Sequence, residues 1–345
     1  MSKKSKLINL LIIILSVVLL LLYIMMVDGL DNIINVFASC NPYWLIVGVL
    51  IMIGYWYLEG HVLNYGVGIF GPKLKAKYSA KNCMIGQFFN NITPAATGGQ
   101  PMQAYYMNKC GVGYGLATSA LLLRFIAFQF SLTILCTIVI IFKYEEFAAK
   151  VQSFSVLMLI GFTINTVIAF MLILIGINKK VSAIIMHFFV RLFGKIKLVK
   201  DVNKKLEFVD NEVELFNKSF ATALKHKKKI LVMLILTTLQ LLLFYSINIA
   251  IAFCFGVNLN YVSSLNIIAG AACVQMSSSF VPLPGAAGGA ELSYYILYGG
   301  IFQDSYLSAA VLLWRMYTFY MPTIIGLYFS RDLFGSKILK NEKEA

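Results

Sequence analysis

Two arginines stand inside long apolar stretches of this sequence. Arg124 follows three consecutive leucines, and Arg315 lies within the apolar run 305–330. A charge at the centre of a membrane helix costs about 2.5–3.5 kcal/mol on insertion scales, so such residues normally face the bundle interior and have a partner. A guanidinium binds a phosphate or a carboxylate through two parallel hydrogen bonds. The arginines therefore predict an anion-binding site, a buried ion pair, or both.

Glu59 and Glu291 are the carboxylates available to these arginines. An ion pair could be the resting state that the phosphate of a substrate displaces. The three histidines form no cluster with cysteines or acids, which argues against a metal site. No nucleotide-binding, metalloprotease or serine-hydrolase motif occurs. The sequence thus predicts no catalytic residue, no metal and no cofactor.

Two segments with prolines and paired glycines interrupt the helical pattern. Proline removes a backbone donor, and glycine turns without a Cβ penalty. The helix after each glycine pair should present free N–H groups and a positive dipole end to an anion. The alternative is two kinked helix pairs whose polar side chains bond only to each other. With both arginines and both glutamates, the predicted substrate-binding residues are Asn90, Asn91, Thr93, Pro94, Gly98, Gly99, Gln100, Pro284, Gly285, Gly288 and Gly289.

The two interrupted segments resemble each other. A shift of 190 residues places Pro94, Gly98 and Gly99 on Pro284, Gly288 and Gly289, and Arg124 meets Arg315 after one inserted residue. The first segment is flanked by lysines and should enter from the cytoplasm, whereas the second follows an outer loop. Broken helices at matching positions of two oppositely inserted halves typically mark a transport site. We expect repeat 1 at about 43–142 and repeat 2 at about 230–330.

The elements that position these residues are membrane helices. Of the 345 residues, 59% are hydrophobic and 13% are charged, which excludes a water-soluble fold or a disordered chain. The six cysteines are scattered, unlike those of a secreted disulfide scaffold. We predict a single-domain, all-α polytopic membrane protein with about six to eight transmembrane helices and two broken or re-entrant hairpins arranged as an inverted repeat. Apolar runs long enough to span lie at 7–27, 43–63, 116–142, 154–176, 230–256 and 305–330.

The distribution of positive charge predicts the orientation. With the N-terminus in the cytoplasm, 25 of the 29 lysines and arginines fall on the cytoplasmic side, including 13 in the loop at 179–229. This positive-inside bias places both termini in the cytoplasm and the chain in the cell membrane. The net charge of +14 is then explained by topology and by anionic headgroups rather than by nucleic acid. The loop itself shows amphipathic helical spacing from Val181 to Leu192, typical of a helix on the leaflet surface.

The broken motifs carry a family resemblance. Residues 88–94 with Gly98-Gly99-Gln100-Pro101, and Pro282-Leu283-Pro284-Gly285 with Gly288-Gly289-x-Glu291, resemble the lysylphosphatidylglycerol synthase transmembrane family. This is the flippase-like membrane domain of the multiple peptide resistance factor, and the resemblance covers nearly the whole chain. It implies translocation of an anionic or aminoacylated phospholipid of the lysylphosphatidylglycerol type. Membrane phospholipids are the implied partners.

Three functions follow from the resemblance and the residues. The first is a lipid flippase. The second is a phosphatidylglycerol lysyltransferase, or its membrane subunit working with a separate lipid-modifying enzyme, that contributes to resistance to cationic antimicrobial peptides. The chain is expected to lack the cytosolic transferase domain, since it ends some fifteen residues after the last span. The third is a membrane scaffold that transports nothing.

Overall fold

A computed structural model describes Ala38 and residues 40–71, 74–150, 154–195, 202–279, 281–302 and 304–334. Helices make up most of these residues, and no strand occurs among them, as the sequence predicted. The first apolar run, 7–27, lies outside the described residues. The helices are α1 (Pro42–Phe70), α2 (Ala76–Asn91), α3 (Gly99–Lys109), α4 (Tyr114–Lys150), α5 (Phe154–Ile177), α6 (Lys179–Lys195), α7 (Val202–Lys225), α8 (Lys227–Tyr245), α9 (Ile247–Cys254), α10 (Tyr261–Ser278), α11 (Gly289–Tyr298), α12 (Asp304–Arg315) and α13 (Met321–Phe334).

Local sequence explains where several of these helices begin. Asn41 caps α1 by accepting a hydrogen bond from the Tyr43 backbone N–H at 3.0 Å, and Pro42 occupies the first turn, where no N–H partner is needed. Asn260 caps α10 in the same way, through the Ser263 N–H at 2.8 Å. These caps fix the ends of helices whose interiors are too apolar to define their own boundaries.

Four stretches of the described chain are long and apolar enough to cross a membrane: Pro42–Phe70, Tyr114–Phe142, Lys227–Cys254 and Tyr306–Arg331. They coincide with four of the predicted runs. A fifth crossing would come from the pair Gly161–Ile177 and Lys179–Leu192, which is bent by 101°. The total of six to eight helices therefore stays a prediction.

Both interrupted segments fold as helix–turn–helix pairs, as predicted. Helices α2 and α3 pack on each other across a 3₁₀ turn at Pro94–Ala96, and α10 and α11 do so across a second 3₁₀ turn at Pro284–Ala286. The two 3₁₀ turns also pack against one another, so the broken segments meet inside the bundle. Their opposite insertion into the membrane stays a prediction.

The loop at 179–229 forms the two helices α6 and α7, which pack on each other through Val190, Val209 and Val213. The exposed face of α6 carries Ile184 and Phe188, which are 68% and 61% exposed. An apolar stripe on a helix rich in basic residues is typical of a helix that lies on a membrane surface.

Candidate functional site

A cavity of about 530 Å³ opens among the two broken segments and the surrounding spans. This volume falls in the range of small-molecule sites, roughly 300–1,000 Å³. Residues of α1, α2, α3, α4, α5, α8, α9, α10, α11 and α12 line it, so almost every part of the bundle contributes. Both Arg124 and Arg315 lie on its wall.

Arg124 forms an ion pair with Glu59 on this wall. The guanidinium Nη1 lies 2.6 Å from Glu59 Oε1, and the side chains are 16% and 6% exposed. Gln87 Nε2 donates to the second oxygen, Oε2, at 2.8 Å. The polar groups of α1, α2 and α4 are thus joined in one network, as a charge in an apolar bundle requires.

Arg315 forms a second ion pair, with Glu291. Its Nε donates to Glu291 Oε1 at 2.7 Å, and its Nη1 donates to the Gly285 carbonyl at 2.9 Å. The guanidinium also lies over the rings of Trp314 and Phe319, with centroids 4.9 and 5.6 Å from Cζ. A π-helical turn, Met316–Tyr320, follows it directly, a distortion that is frequent at functional sites.

The two 3₁₀ turns have the same unusual backbone at matching positions. Ala95 and Gly285 have φ of 50° and 62°, and Ala96 and Ala286 have φ of 52° and 53°. Left-handed backbone is costly for residues with a Cβ and clusters at functional sites. All four residues line the cavity. This shared conformation extends the sequence repeat into local structure.

Three of the four N–H groups of the glycine pairs are engaged inside the protein, whereas the sequence predicted that they would be free. Gly98 N–H donates to Thr93 Oγ1 at 2.8 Å, and Gly99 N–H donates to Asn90 Oδ1 at 3.0 Å. In the second segment Gly288 N–H donates to Glu291 Oε2 at 2.8 Å. Side chains of the same segments therefore cap helices α3 and α11, because helix starts buried in a bundle need internal partners.

The predicted site residues divide into two groups. Those on the cavity wall are Arg124, Arg315, Glu59, Asn90, Asn91, Gln100 and Gly285. Those that shape the turns behind the wall are Glu291, Thr93, Pro94, Gly98, Gly99, Pro284, Gly288 and Gly289. Asn91 also has a structural task, since its Nδ2 donates to Thr323 Oγ1 on α13 at 2.8 Å.

Sequence reasoning missed most of the neutral polar wall. Gln129, Asn165, Gln240, Asn248 and Gln275 all line the cavity. The signal that could have found them is an amide within an apolar span, which needs a partner just as a charge does. Gln129 and Asn165 supply one for each other, with Nε2 of the former 2.7 Å from Oδ1 of the latter.

Four atoms of cavity-lining residues are buried without a hydrogen-bond partner in the described part of the chain. They are Trp56 Nε1, Asn248 Oδ1, Tyr294 Oη and Arg315 Nη2. Buried polar groups are normally paired, so orphaned ones call for an explanation. Two of them only donate, one only accepts and one can do either. The wall is suited to a polar ligand.

Comparison with known proteins gives the family. Residues 7–326 match the family model for the lysylphosphatidylglycerol synthase TM region, which is nearly the whole chain. The chain belongs to this family. The chain is also similar to a curated protein, the UPF0104 membrane protein MJ1595 of Methanocaldococcus jannaschii. The two are 25% identical over 337 residues, which cover 94% of each. The resemblance seen in the broken motifs is thereby confirmed, and the protein is a multi-pass membrane protein of this family.

Proposed function

We propose that this protein binds a phospholipid with an anionic or aminoacylated headgroup and translocates it across the cell membrane. The observation that supports the proposal most is the pair of arginines on the wall of one cavity, each balanced by a carboxylate. A guanidinium in a low-dielectric site attracts a phosphate strongly, and its planar fork matches the phosphate oxygens.

The ion pairs suggest how a headgroup could enter and leave. Arg315 uses Nε and Nη1 within the protein, while Nη2 has no partner among the described residues. A lipid phosphate would bind Nη2 once the side chains that now bury this atom move, and the contact with Glu291 would remain. At Arg124 the phosphate would share the guanidinium with Glu59. Because each arginine keeps its carboxylate, the empty site stays neutral and the phosphate can be released again.

The two broken segments also support the proposal of a translocase. Irregular backbone at membrane depth is tolerated only where it is buried in protein or lines a wet cavity. The two 3₁₀ turns satisfy this rule, since their residues lie on the cavity wall and against each other. In transporters, sites of this kind lie between two structural repeats that rock against one another. We place both termini of the chain in the cytoplasm on the charge distribution.

The test is lipid flipping by the purified protein in vesicles. Fluorescent phosphatidylglycerol, lysylphosphatidylglycerol and phosphatidylcholine would be compared, with protein-free vesicles as the control. Faster movement of the first two lipids than of phosphatidylcholine is the expected result. Equal rates with and without protein for every lipid would overturn the proposal.

A further inference from the structure

The cavity wall contains far more neutral amides than charges. Among the described residues that line it are nine asparagines and glutamines, but two arginines, one glutamate and no lysine, aspartate or histidine. An amide both donates and accepts hydrogen bonds, whereas a guanidinium only donates and a carboxylate only accepts. Gln129 and Asn165 bond to each other, but amides with a free donor or acceptor match a ligand group that itself donates and accepts, which is the property of a hydroxyl.

The carboxylates of the site are already engaged. Glu59 accepts from Arg124 on one oxygen and from Gln87 on the other. Glu291 accepts from Arg315 and from the Gly288 N–H. Each negative charge is balanced by a guanidinium, so no carboxylate of the site is left uncompensated for the ammonium of an aminoacyl headgroup. A neutral headgroup needs no such partner.

Several polar atoms of the lining residues are buried without a partner in the described part of the chain, and at least one amide nitrogen is free as well. Asn248 is only 2% exposed, and its Oδ1 has no partner among the described residues, which leaves an acceptor. Trp56 Nε1 is a buried donor that also has no partner among the described residues. Tyr294 Oη has none either, and it can act as a donor or as an acceptor. Asn90 uses its Oδ1 on the Gly99 N–H, and its Nδ2 remains a donor on the wall. Several hydroxyls on one ligand would satisfy donors and acceptors together.

Aromatic rings complete the wall. Trp56 and Trp314 line the cavity beside the amides, and the fully buried Tyr294 ring packs against Trp314 with their centroids 5.0 Å apart. Flat apolar faces between hydrogen-bonding groups suit a ring that carries C–H groups on its faces and hydroxyls on its edge. A cyclic polyol or a sugar has this form.

We propose that the cavity selects a phospholipid whose headgroup is a polyhydroxylated ring, such as an inositol or a hexose, joined through a phosphodiester. The inference rests on the proposed phospholipid function and names its substrate class. The phosphate binds Arg315 and Arg124, and the ring hydroxyls bind the amide wall.

Binding can be measured with probes that the protein itself carries. Two of its three tryptophans, Trp56 and Trp314, line the cavity, so a bound headgroup should change the intrinsic fluorescence. Detergent-solubilised protein would be titrated with short-chain phosphatidylinositol, phosphatidic acid and lysylphosphatidylglycerol. These lipids share the phosphate and differ in what it carries. A lipid without ring hydroxyls leaves the polar atoms of the wall unpaired, whereas phosphatidylinositol can pair them. We therefore expect phosphatidylinositol to bind about tenfold more tightly than either other lipid.

Two variants test the wall itself. Asn248→Leu and Gln275→Leu should each bring the affinity for phosphatidylinositol close to that for phosphatidic acid, while the affinity for phosphatidic acid changes little. Gln275 is only half-buried and serves if Asn248→Leu fails to fold. The matched control is Asn203→Leu, an exposed amide on α7, which should keep the preference.

The outcomes separate the two proposals. Equal affinity for phosphatidylinositol and phosphatidic acid, or tighter binding of lysylphosphatidylglycerol, would overturn the polyol inference and leave the phospholipid proposal in place. Binding of no phospholipid would overturn both. If Asn203→Leu also lost the preference for phosphatidylinositol over phosphatidic acid, the assignment of this preference to the amide wall would be overturned.

Discussion

Arg124 Nη1 and Glu59 Oε1 lie 2.6 Å apart and join helix α4 to helix α1 inside the cavity. Two opposite charges at this separation attract strongly wherever water is largely excluded. The same pairing recurs between Arg315 and Glu291, at 2.7 Å. The cavity therefore contains two guanidiniums without a large net charge, which allows an anion to bind and to leave.

Removing one member of the first pair should destabilise the fold more than removing both. Arg124→Gln leaves the Glu59 charge buried without a cation, which costs about 3–5 kcal/mol in well-buried pairs. Glu59→Gln combined with Arg124→Gln removes both charges and should recover most of the loss. Thermal unfolding in detergent measures this. Lys228→Gln is the control, because Lys228 is exposed and its charge is solvated. A double variant as unstable as the single one would contradict the prediction.

Replacing either arginine with lysine should slow lipid flipping by about tenfold or more. Lysine keeps the charge but loses the planar fork that binds phosphate bidentately. Arg124→Gln and Arg315→Gln should slow it further, and more for an anionic headgroup than for a zwitterionic one. Vesicle flipping at matched protein levels is the measurement, with the exposed Arg331→Lys as the control. Wild-type rates in all four cavity variants would make both arginines structural.

Gly99 should tolerate no side chain. A Cβ there would collide with the Asn90 side chain, whose Oδ1 accepts from the Gly99 N–H. Gly99→Val should displace Asn90 from the cavity wall and slow flipping by about tenfold, while the protein still inserts into the membrane. Gly113 has open space around it, so Gly113→Val is the matched control. Equal flipping by the two variants would show that the first turn does not shape the site.

Labelling of introduced cysteines should reveal the orientation. Asn258 precedes α10 and Asn203 lies on α7, and both are exposed. A membrane-impermeant maleimide added to intact cells should label Asn258→Cys and leave Asn203→Cys unlabelled, because the charge distribution predicts a cytoplasmic basic loop. The wild-type chain gives the background from its own six cysteines. The reverse pattern would refute the orientation, and equal labelling at both positions would refute a crossing between them.

Acid should weaken the contact between α6 and α7 through Glu214. Hydrogen bonds from Lys179 and Lys218, at 2.8 Å each, lower the pKa of Glu214 from 4.5 to about 2. A lowered pKa in the folded state stabilises the fold above pH 4.5, and this contribution is lost as the pH falls from 4.5 towards 2. Glu214→Gln should therefore flatten the pH dependence of the unfolding temperature in this window. An unchanged slope would show that these ion pairs contribute nothing to stability, as many exposed pairs do.

The sequence alone determined the class of fold and the positions of its breaks. Apolar runs of about twenty residues admit only membrane helices, and Pro94, Pro284 and the glycine pairs interrupt a helix for reasons of local geometry. Burying a charge in an apolar span demands a partner, so the need of each arginine for an anionic partner was also predictable. These features depend on near neighbours in the chain or on the solvent, so a short stretch of sequence is enough to predict them.

The tertiary structure decided which residues meet. Glu59 lies 65 positions before Arg124, and no periodicity links the two. The amides Gln129, Gln240 and Asn248 look isolated in the sequence and become one wall only when α4, α8 and α9 pack together. The backbone N–H groups of Gly98 and Gly99 look free in the sequence, but folding brings Thr93 and Asn90 onto them. Side chains far apart in the chain meet through packing, because a buried polar group must find whichever partner the bundle places beside it.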